Sequence, residues 1–231
     1  MRSIAIIPAR GGSKRIPRKN IRLFFGKPII AYSIAAAKES GLFDQIIVST
    51  DDEEIATVAQ QHGAEVPFLR PKEIADDFSG TNVVVKHCLQ WLESNSMPAQ
   101  YACCIYPTAP FIQAAFLQEG FEKLIESGKS YAFSVTSFPF PIQRAIKINR
   151  QGTVEPFSPE GVSARSQDLE EAYHDAGQFY WGKAEAFLND IVIFTPESVP
   201  VILSRYLVQD IDTEEDWERA ELMYKVWRAT Q

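Results

Sequence analysis

The chain of 231 residues carries 23 Lys and Arg against 30 Asp and Glu, a formal charge of −7, and 45% of its residues are hydrophobic. That length and apolar content support one well-filled core and exclude a disordered chain. The acidic balance argues against a general nucleic-acid binder, which needs a broad basic face, and no segment approaches the ~18 apolar residues of a membrane span.

The elements alternate along the chain. "SIAIIPA" (3–9), "QIIVST" (45–50), "YACCIYP" (101–107) and "YAFSVTS" (131–137) read as buried strands bounded by turn formers. Between them, "PIIAYSIAAAKESG" (28–41), "DEEIATVAQQHG" (52–63), "GTNVVVKHCLQWLESNS" (80–96) and "FIQAAFLQEGFEKLIESG" (111–128) read as helices, with Gly41, Gly63 and Gly128 as C-terminal stops. This alternation predicts parallel strands joined by right-handed crossovers: a Rossmann-like, doubly wound α/β sheet with helices on both faces, in one domain over 1–231. From 138 to 177 the pattern lapses into a Pro- and Gly-rich excursion. Order resumes with a strand at "QFYWG" (178–182), a short helix near "KAEAFLN", a strand near "VPVILS" and a last helix from Thr213, where Thr213 and Asp216 are spaced for a capping box.

Cys88, Cys103 and Cys104 are odd in number, two of them adjacent in an apolar run, as reduced core thiols would be. "IAIIPA" is too short for a secretory apolar region and leads straight into charge, so the cytoplasm is the expected compartment. His62 and His87 lie in predicted helices without metal-ligand spacing. No Ser/His/Asp or Cys/His arrangement suggests a covalent intermediate.

Charge is distributed unevenly. No Asp or Glu precedes Glu39, whereas Arg2, Arg10, Lys14, Arg15, Arg18, Lys19, Arg22, Lys27 and Lys38 all do. The loop after the first strand thus suits a small anion rather than a polyanion track, or else is a solvated basic loop that binds nothing. Gly11 and Gly12 can take φ > 0 and let backbone N–H groups approach a ligand, while Arg10, Lys14 and Lys19 can supply charged donors. The loop lacks both G-x-x-x-x-G-K-[ST] and G-x-G-x-x-G, which disfavours a P-loop NTPase and a dinucleotide fingerprint. Near the other end, "LVQDIDTEEDW" offers Asp210 and Asp212 on one face of an extended stretch, with Ile211 turned away. Such a pair suits Mg²⁺ together with substrate phosphates, or else simply favours the positive start of the last helix.

"IPARGGSKRIPRKNI" resembles the nucleotide-binding signature of the CMP-sugar-acid synthetases (acylneuraminate cytidylyltransferases), and "DIDTEED" resembles their metal-binding element. The resemblance implies that Ala9, Arg10, Gly12, Ser13, Lys19 and Asn20 cradle CTP, that Asp210 and Asp212 bind Mg²⁺ or Mn²⁺, and that Arg10, Lys19 and Asp212 act in catalysis. "IIVSTDDEEIA" with "FLRPKEIADDFSGT" resembles the stretch around the cytidine, which implies nucleotide contacts from Arg70, Ser79 and Thr81. "YPTAPF" sits where the family carries a substrate turn, implying contacts from Tyr106 and Thr108, although Ile112 replaces an Arg common there. "ARSQDLEEAYHDAGQFYWG" resembles the element that completes the sugar pocket and pairs two subunits. From it come Arg165 and Gln167 for the sugar carboxylate and hydroxyls, His174 as a further substrate contact, and the expectation of a homodimer built through 138–177.

Within the family the likeness is strongest to the branch acting on pseudaminic acid, whose doubly N-acylated sugar suggests an aromatic wall such as Phe138 and Phe140. The implied reaction joins CTP to a nine-carbon sugar acid, giving a CMP-sugar and pyrophosphate. An N-acetylneuraminic or legionaminic acid substrate is the alternative. A hexose-1-phosphate nucleotidyltransferase and a non-catalytic nucleotide-binding regulator are remoter readings, and neither nucleic acid nor membrane is an expected partner.

Overall fold

The computed structural model describes residues 1–75 and 80–230. Strand β1 (Ser3–Pro8) runs into the cationic loop, which leads through the short ladder of β2 (Leu23–Phe24) and β3 (Lys27–Pro28) to helix α1 (Ile30–Ser40). β4 (Gln45–Ser49), α2 (Glu53–Gln61), α3 (Thr81–Ser94), β5 (Tyr101–Ile105), α4 (Ala114–Ser127) and β6 (Tyr131–Ser137) follow. The excursion holds the hairpin of β7 (Ile146–Ile148) and β8 (Val154–Pro156), then α5 (Pro159–Ser163). β9 (Tyr173–Lys183), α6 (Ala184–Leu188), β10 (Ser198–Ile202) and α7 (Glu214–Ala229) complete the chain.

The main sheet has the order β10-β6-β9-β5-β1-β4. β1 pairs in parallel with β4 and β5, and β10 with β6, so the sheet is mostly parallel as the alternation predicts. β9 departs from that expectation. It runs antiparallel between β5 and β6 and begins at Tyr173, ahead of the apolar run from 178. The excursion returns the chain in the reverse direction. The polar Tyr173, His174 and Asp175 are then drawn into the ladder opposite Ser137, Thr136 and Val135, beyond a bulge between Phe133 and Val135.

Alternation along β1 explains the layers. Ala5 and Ile7 point into a core shared with Ile30 and Ile34 of α1 and Leu117 and Leu124 of α4. Ile4 and Ile6 face the opposite core, with Val85, Leu89 and Leu92 of α3 and Phe187 of α6. Gly41 and Gly128 end α1 and α4 in the left-handed conformation at φ 67 and φ 65. α2 stops one residue earlier than expected: its cap is His62, with Gly63 at φ 93 just beyond. All three cysteines are buried and free, and burial pushes the Cys88 thiol up to about 12, as inert core thiols require.

A third, aromatic core ties the two ends of the chain together. Phe24 packs against Trp217 at 5.6 Å and Tyr224 at 5.1 Å, both on α7, and the Arg22 guanidinium lies 4.4 Å above the Trp217 ring. α7 starts in the expected capping box: Thr213 Oγ1 accepts from the Asp216 amide while the Asp216 carboxylate accepts from the Thr213 amide. The cationic loop is fastened at a second place. Asp52 caps α2 by accepting from the Glu54 and Ile55 amides, each at 3.0 Å, and it also receives both terminal nitrogens of Arg18, at 2.5 and 3.0 Å. Arg18 pays for this grip with a left-handed backbone at φ 56.

Two outcomes follow. Trp217→Ala should destabilise the protein by about 3–5 kcal/mol, read as a lower denaturant midpoint at unchanged slope. Asp52→Ala should cost about 0.5–2 kcal/mol at neutral pH, the usual worth of such a cap. The Arg18 hydrogen bond, followed by the α2 amides, holds the Asp52 carboxyl below its ordinary 3.8. Its contribution is therefore complete above the ordinary value and is lost as the pH falls through the lower folded one. Urea melts should show the gap between wild type and variant shrinking below about pH 4.

Candidate functional site

A cavity of about 270 Å³ opens at the carboxyl ends of β1 and β5, where α/β sheets place their ligands. Arg10, Ser13, Lys19 and Asn20 of the cationic loop line it, with Arg70, Thr81, Tyr106, Thr108 and Asp212. Residues from five separate stretches of the sequence meet here.

The loop is shaped by contacts with the end of β4. The Gly11 amide donates to Asp51 Oδ1 at 2.9 Å, and Asn20 Nδ2 donates to the Arg10 carbonyl at 2.9 Å. Gly11 and Gly12 do not use the positive φ open to them. Gly11 is instead required by space, since a Cβ there would stand 2.8 Å from Asp52 Oδ2, whereas Gly12 has open space around it. The one turn of positive φ within 10–22 falls on Arg18, held by its carboxylate partners.

Lys19 carries the decisive contact. Its Nζ donates to the Ile211 carbonyl at 2.6 Å and lies 3.4 Å from Asp212 Oδ1, while Arg15 reaches the same Asp212 oxygen at 2.9 Å. Ile211 is fully buried in the aromatic core, so Asp210 and Asp212 turn outward on either side of it. Gln178 of β9 steadies this segment from behind, its Nε2 donating to the Leu207 carbonyl at 2.6 Å. The Asp210 carboxyl is raised above its ordinary value, first by the protein mass that thins its hydration and then by the facing Asp212 charge, against the pull of Lys19. Two carboxylates that repel each other beside a cationic cavity form a donor set suited to a hard divalent cation whose remaining ligands are phosphate oxygens. Among the described residues no cluster of three His, Cys, Asp or Glu could hold a metal by itself.

Arg70 is placed by the strip that continues along β4, where its amide donates to the Thr50 carbonyl at 2.7 Å. Its side chain is 5% exposed, and Nε and one terminal nitrogen form no hydrogen bond. The nearest carboxylate, Asp51, is 3.9 Å away. Burial lowers the Arg70 pKa against the opposing pull of Asp51, and donors so placed favour a polar ligand edge.

Other expected residues stand apart from this cavity. Ala9 is fully buried, its amide donating to the Ser49 carbonyl at 2.9 Å, and it does not line the cavity. Gly12 is exposed and does not line the cavity, and Ser79 lies outside the described residues. Arg165 and Gln167 are exposed in the excursion, away from the cavity wall. His174 sits in β9 with Nδ1 2.8 Å from the Asp175 carbonyl and its ring against Phe138. Ile112 is core-facing, so that turn presents no side-chain charge. Phe138 and Phe140 border a surface hollow of their own.

A second cavity of about 150 Å³ shares Thr81 and Tyr106 with the first. Its apolar wall comes from Phe187, Ile193 and Phe194, and Asp175 and Tyr180 supply its polar edge. Sequence reasoning did not single out this cavity or Arg15, because nothing local marks residues that meet only after β9 enters the sheet.

The cytidylyltransferase family model matches residues 4–216. A pseudaminic acid cytidylyltransferase of Campylobacter jejuni is 47% identical over 226 residues, covering 98% of this chain and 97% of that protein. A CMP-N,N'-diacetyllegionaminic acid synthase of Legionella pneumophila is 34% identical, at 98% and 97% coverage. Among solved structures, a CMP:2-keto-3-deoxy-manno-octonic acid synthetase complexed with CTP shares the fold at a TM-score of 0.70 and 15% identity, covering 97% of this chain and 99% of that one. A match spanning nearly the whole α/β unit, supported by near-half identity to a full-length relative, shows that the chain belongs to the cytidylyltransferase family.

Proposed function

We propose that this cytidylyltransferase joins CTP to pseudaminic acid, giving CMP-pseudaminic acid and pyrophosphate. The observation that carries the reading is the meeting of Lys19 with Asp212, which brings cations suited to a triphosphate and one carboxylate of the acid pair to one cavity, while Asp210 stands outside its lining. The relative at 47% identity supports the choice of sugar.

The anomeric hydroxyl of the sugar acid attacks the α-phosphorus of CTP, the bond from that phosphorus to the β-phosphate bridging oxygen breaks, and pyrophosphate leaves. Positioning and charge stabilisation are what such a transfer needs. Arg10 and Lys19 neutralise charge gathering on the departing phosphates, and Arg70 offers its unpaired donors to the cytosine edge. Ser13, Asn20 and Thr81 fix the nucleotide in register, and Tyr106 and Thr108 border the path to the sugar. Asp210 and Asp212 would hold Mg²⁺, or Mn²⁺, which supplies charge neutralisation at the phosphates and eases ionisation of the attacking hydroxyl. Asp216 stays with the helix cap.

The excursion is the reading's place for a second copy of the chain. Phe140, Ile148 and Phe157 there are 79%, 75% and 67% exposed, an apolar surface that a homodimer would cover. Arg165 and Gln167, which stand away from this chain's own cavity, would then serve the sugar carboxylate across the interface. Among the described residues no helix is long and apolar enough to cross a membrane, which accords with work in the cytoplasm on CTP. The likeness to a legionaminic acid synthase favours one second reading, in which that acid or N-acetylneuraminic acid is the sugar.

Pyrophosphate release with CTP and Mg²⁺ should be fastest for pseudaminic acid. Its kcat/KM should exceed those of legionaminic, N-acetylneuraminic and Kdo acids by roughly tenfold or more, the worth of one well-placed contact, with hexose 1-phosphates inert. A higher value for another acid transfers the assignment to that sugar. Asp212→Asn should lower kcat on the order of 10²-fold at saturating Mg²⁺ and weaken Mn²⁺ binding measured by electron paramagnetic resonance. Near-normal turnover in that variant would remove the metal role.

A further inference from the structure

We propose that His87 is the positioning residue for Arg70, a neutral imidazole that backs the guanidinium as it takes hold of the cytosine edge, so that charging the ring weakens CTP binding and blurs the choice of cytosine over uracil. The inference rests on the reading of the cationic cavity as a CTP site.

Periodicity brings the two side chains to one side of the fold. From 64 to 70 the chain runs extended beside β4 and its burial alternates, with Ala64, Val66, Phe68 and Arg70 turned inward and Glu65, Pro67 and Leu69 exposed. Phe68 and Arg70 therefore share a face. α3 packs on that face: the His87 ring meets Phe68 in a T-shaped contact with centroids 4.9 Å apart, and Trp91, one turn further on, meets the same ring at 5.4 Å. Val84, one turn before His87, lines the cationic cavity together with Arg70 and Thr81. His87 thus stands one helical turn behind the cavity wall.

Both side chains carry orphaned atoms. Nε and one terminal nitrogen of Arg70 form no hydrogen bond, and neither does the buried Nδ1 of His87. A guanidinium can only donate, and a neutral imidazole with its proton on Nε2 leaves Nδ1 able only to accept, so the two deficits are complementary. The charges around the ring favour that neutral form. Burial first, and then the Arg70 charge, hold the His87 pKa below its ordinary 6.5. On its own helix, burial pushes the Cys88 thiol up to about 12, which leaves it uncharged, and Lys86 is engaged by Asp190. On the strip, Phe68 is apolar and Arg70 is the cation that acts on the ring.

The consequence falls on base choice. Cytosine presents two adjacent acceptors, O2 and N3, to a guanidinium, whereas uracil carries an N–H at position 3 that would meet a donor. Such discrimination needs a guanidinium held at a fixed angle. At 5% exposure Arg70 has little water to hold it, and the Asp51 carboxylate at 3.9 Å is beyond hydrogen-bond reach. An acceptor at His87 fixes one N–H and leaves the others for the base. A protonated ring loses that lone pair and sets a second positive charge beside Arg70. CTP binding is therefore complete above the lowered His87 pKa and declines as the pH falls through it.

The test is calorimetry of CTP and of UTP, each with Mg²⁺ and without a sugar acid, on wild type, His87→Asn and His87→Phe. Asn keeps an acceptor near the place of Nδ1 and cannot be charged, whereas Phe keeps the packing on Phe68 and removes the acceptor. At about pH 8, His87→Phe should raise the Kd for CTP about fivefold or more and cut the preference for CTP over UTP by a similar factor, while His87→Asn stays within about threefold of wild type on both. Between about pH 8 and about pH 5, the ratio of the wild-type Kd to that of His87→Asn should rise about fivefold or more, since titration of the nucleotide itself is common to both proteins and cancels. That ratio is read without the Phe variant, so the test stands if His87→Phe fails to fold. A His87→Phe protein that loses thermal stability yet keeps its preference for CTP, equal losses in the Asn and Phe variants, or a ratio that stays flat with pH overturns the role of His87. A wild-type protein that binds no CTP overturns the parent reading and this inference with it.

Discussion

One contact made across almost the whole chain organises the site: Lys19 Nζ against the Ile211 carbonyl and the Asp212 carboxylate, 192 and 193 residues away in sequence. It closes the cavity by bringing a cation-rich segment to an acidic one, so that Lys19 and Arg15 offset the Asp212 charge. The aromatic packing of Phe24, Trp217 and Tyr224 makes the contact possible by fixing α7 on the β2–β3 ladder, and Gln178 holds the acid segment from the sheet side. The hydrophobic effect supplies the attachment, and electrostatics uses the resulting geometry.

The same frame explains why two cavities of different character lie side by side. The parallel strands β1 and β5 end at the cationic loop, as they do in α/β sheets that hold phosphates. β9, entering antiparallel, carries Asp175 and Tyr180 to the border between them, where Tyr106 and Thr81 are common to both. Two hollows of different character therefore share one wall, cationic on one side and mostly apolar on the other.

Much of the framework was legible in the residues. The strand–helix alternation, the capping box at Thr213 and Asp216, and the outward pair flanking Ile211 follow from local periodicity and side-chain chemistry. Other features were hidden for identifiable reasons. The sequence showed that Gly11 is free in φ, but not that its need is room beside Asp52, which depends on where β4 ends relative to β1. Nothing in the sequence marked the second cavity, lined by Phe187 and Phe194, because α6 and the segment after it fold back over β6 and β9 only in the assembled sheet.

By itself the sequence determined the element types, the charge asymmetry between its two ends and the motifs that mark a cytidylyltransferase, since each depends on residues close together in the chain. Tertiary structure alone decided that Lys19 finds Asp212, that β9 reverses into the sheet, and that Asp175 lines an apolar hollow beside the cationic cavity. The physical reason is that periodicity and propensity act over a few residues, whereas strand order and burial are settled by the whole core at once.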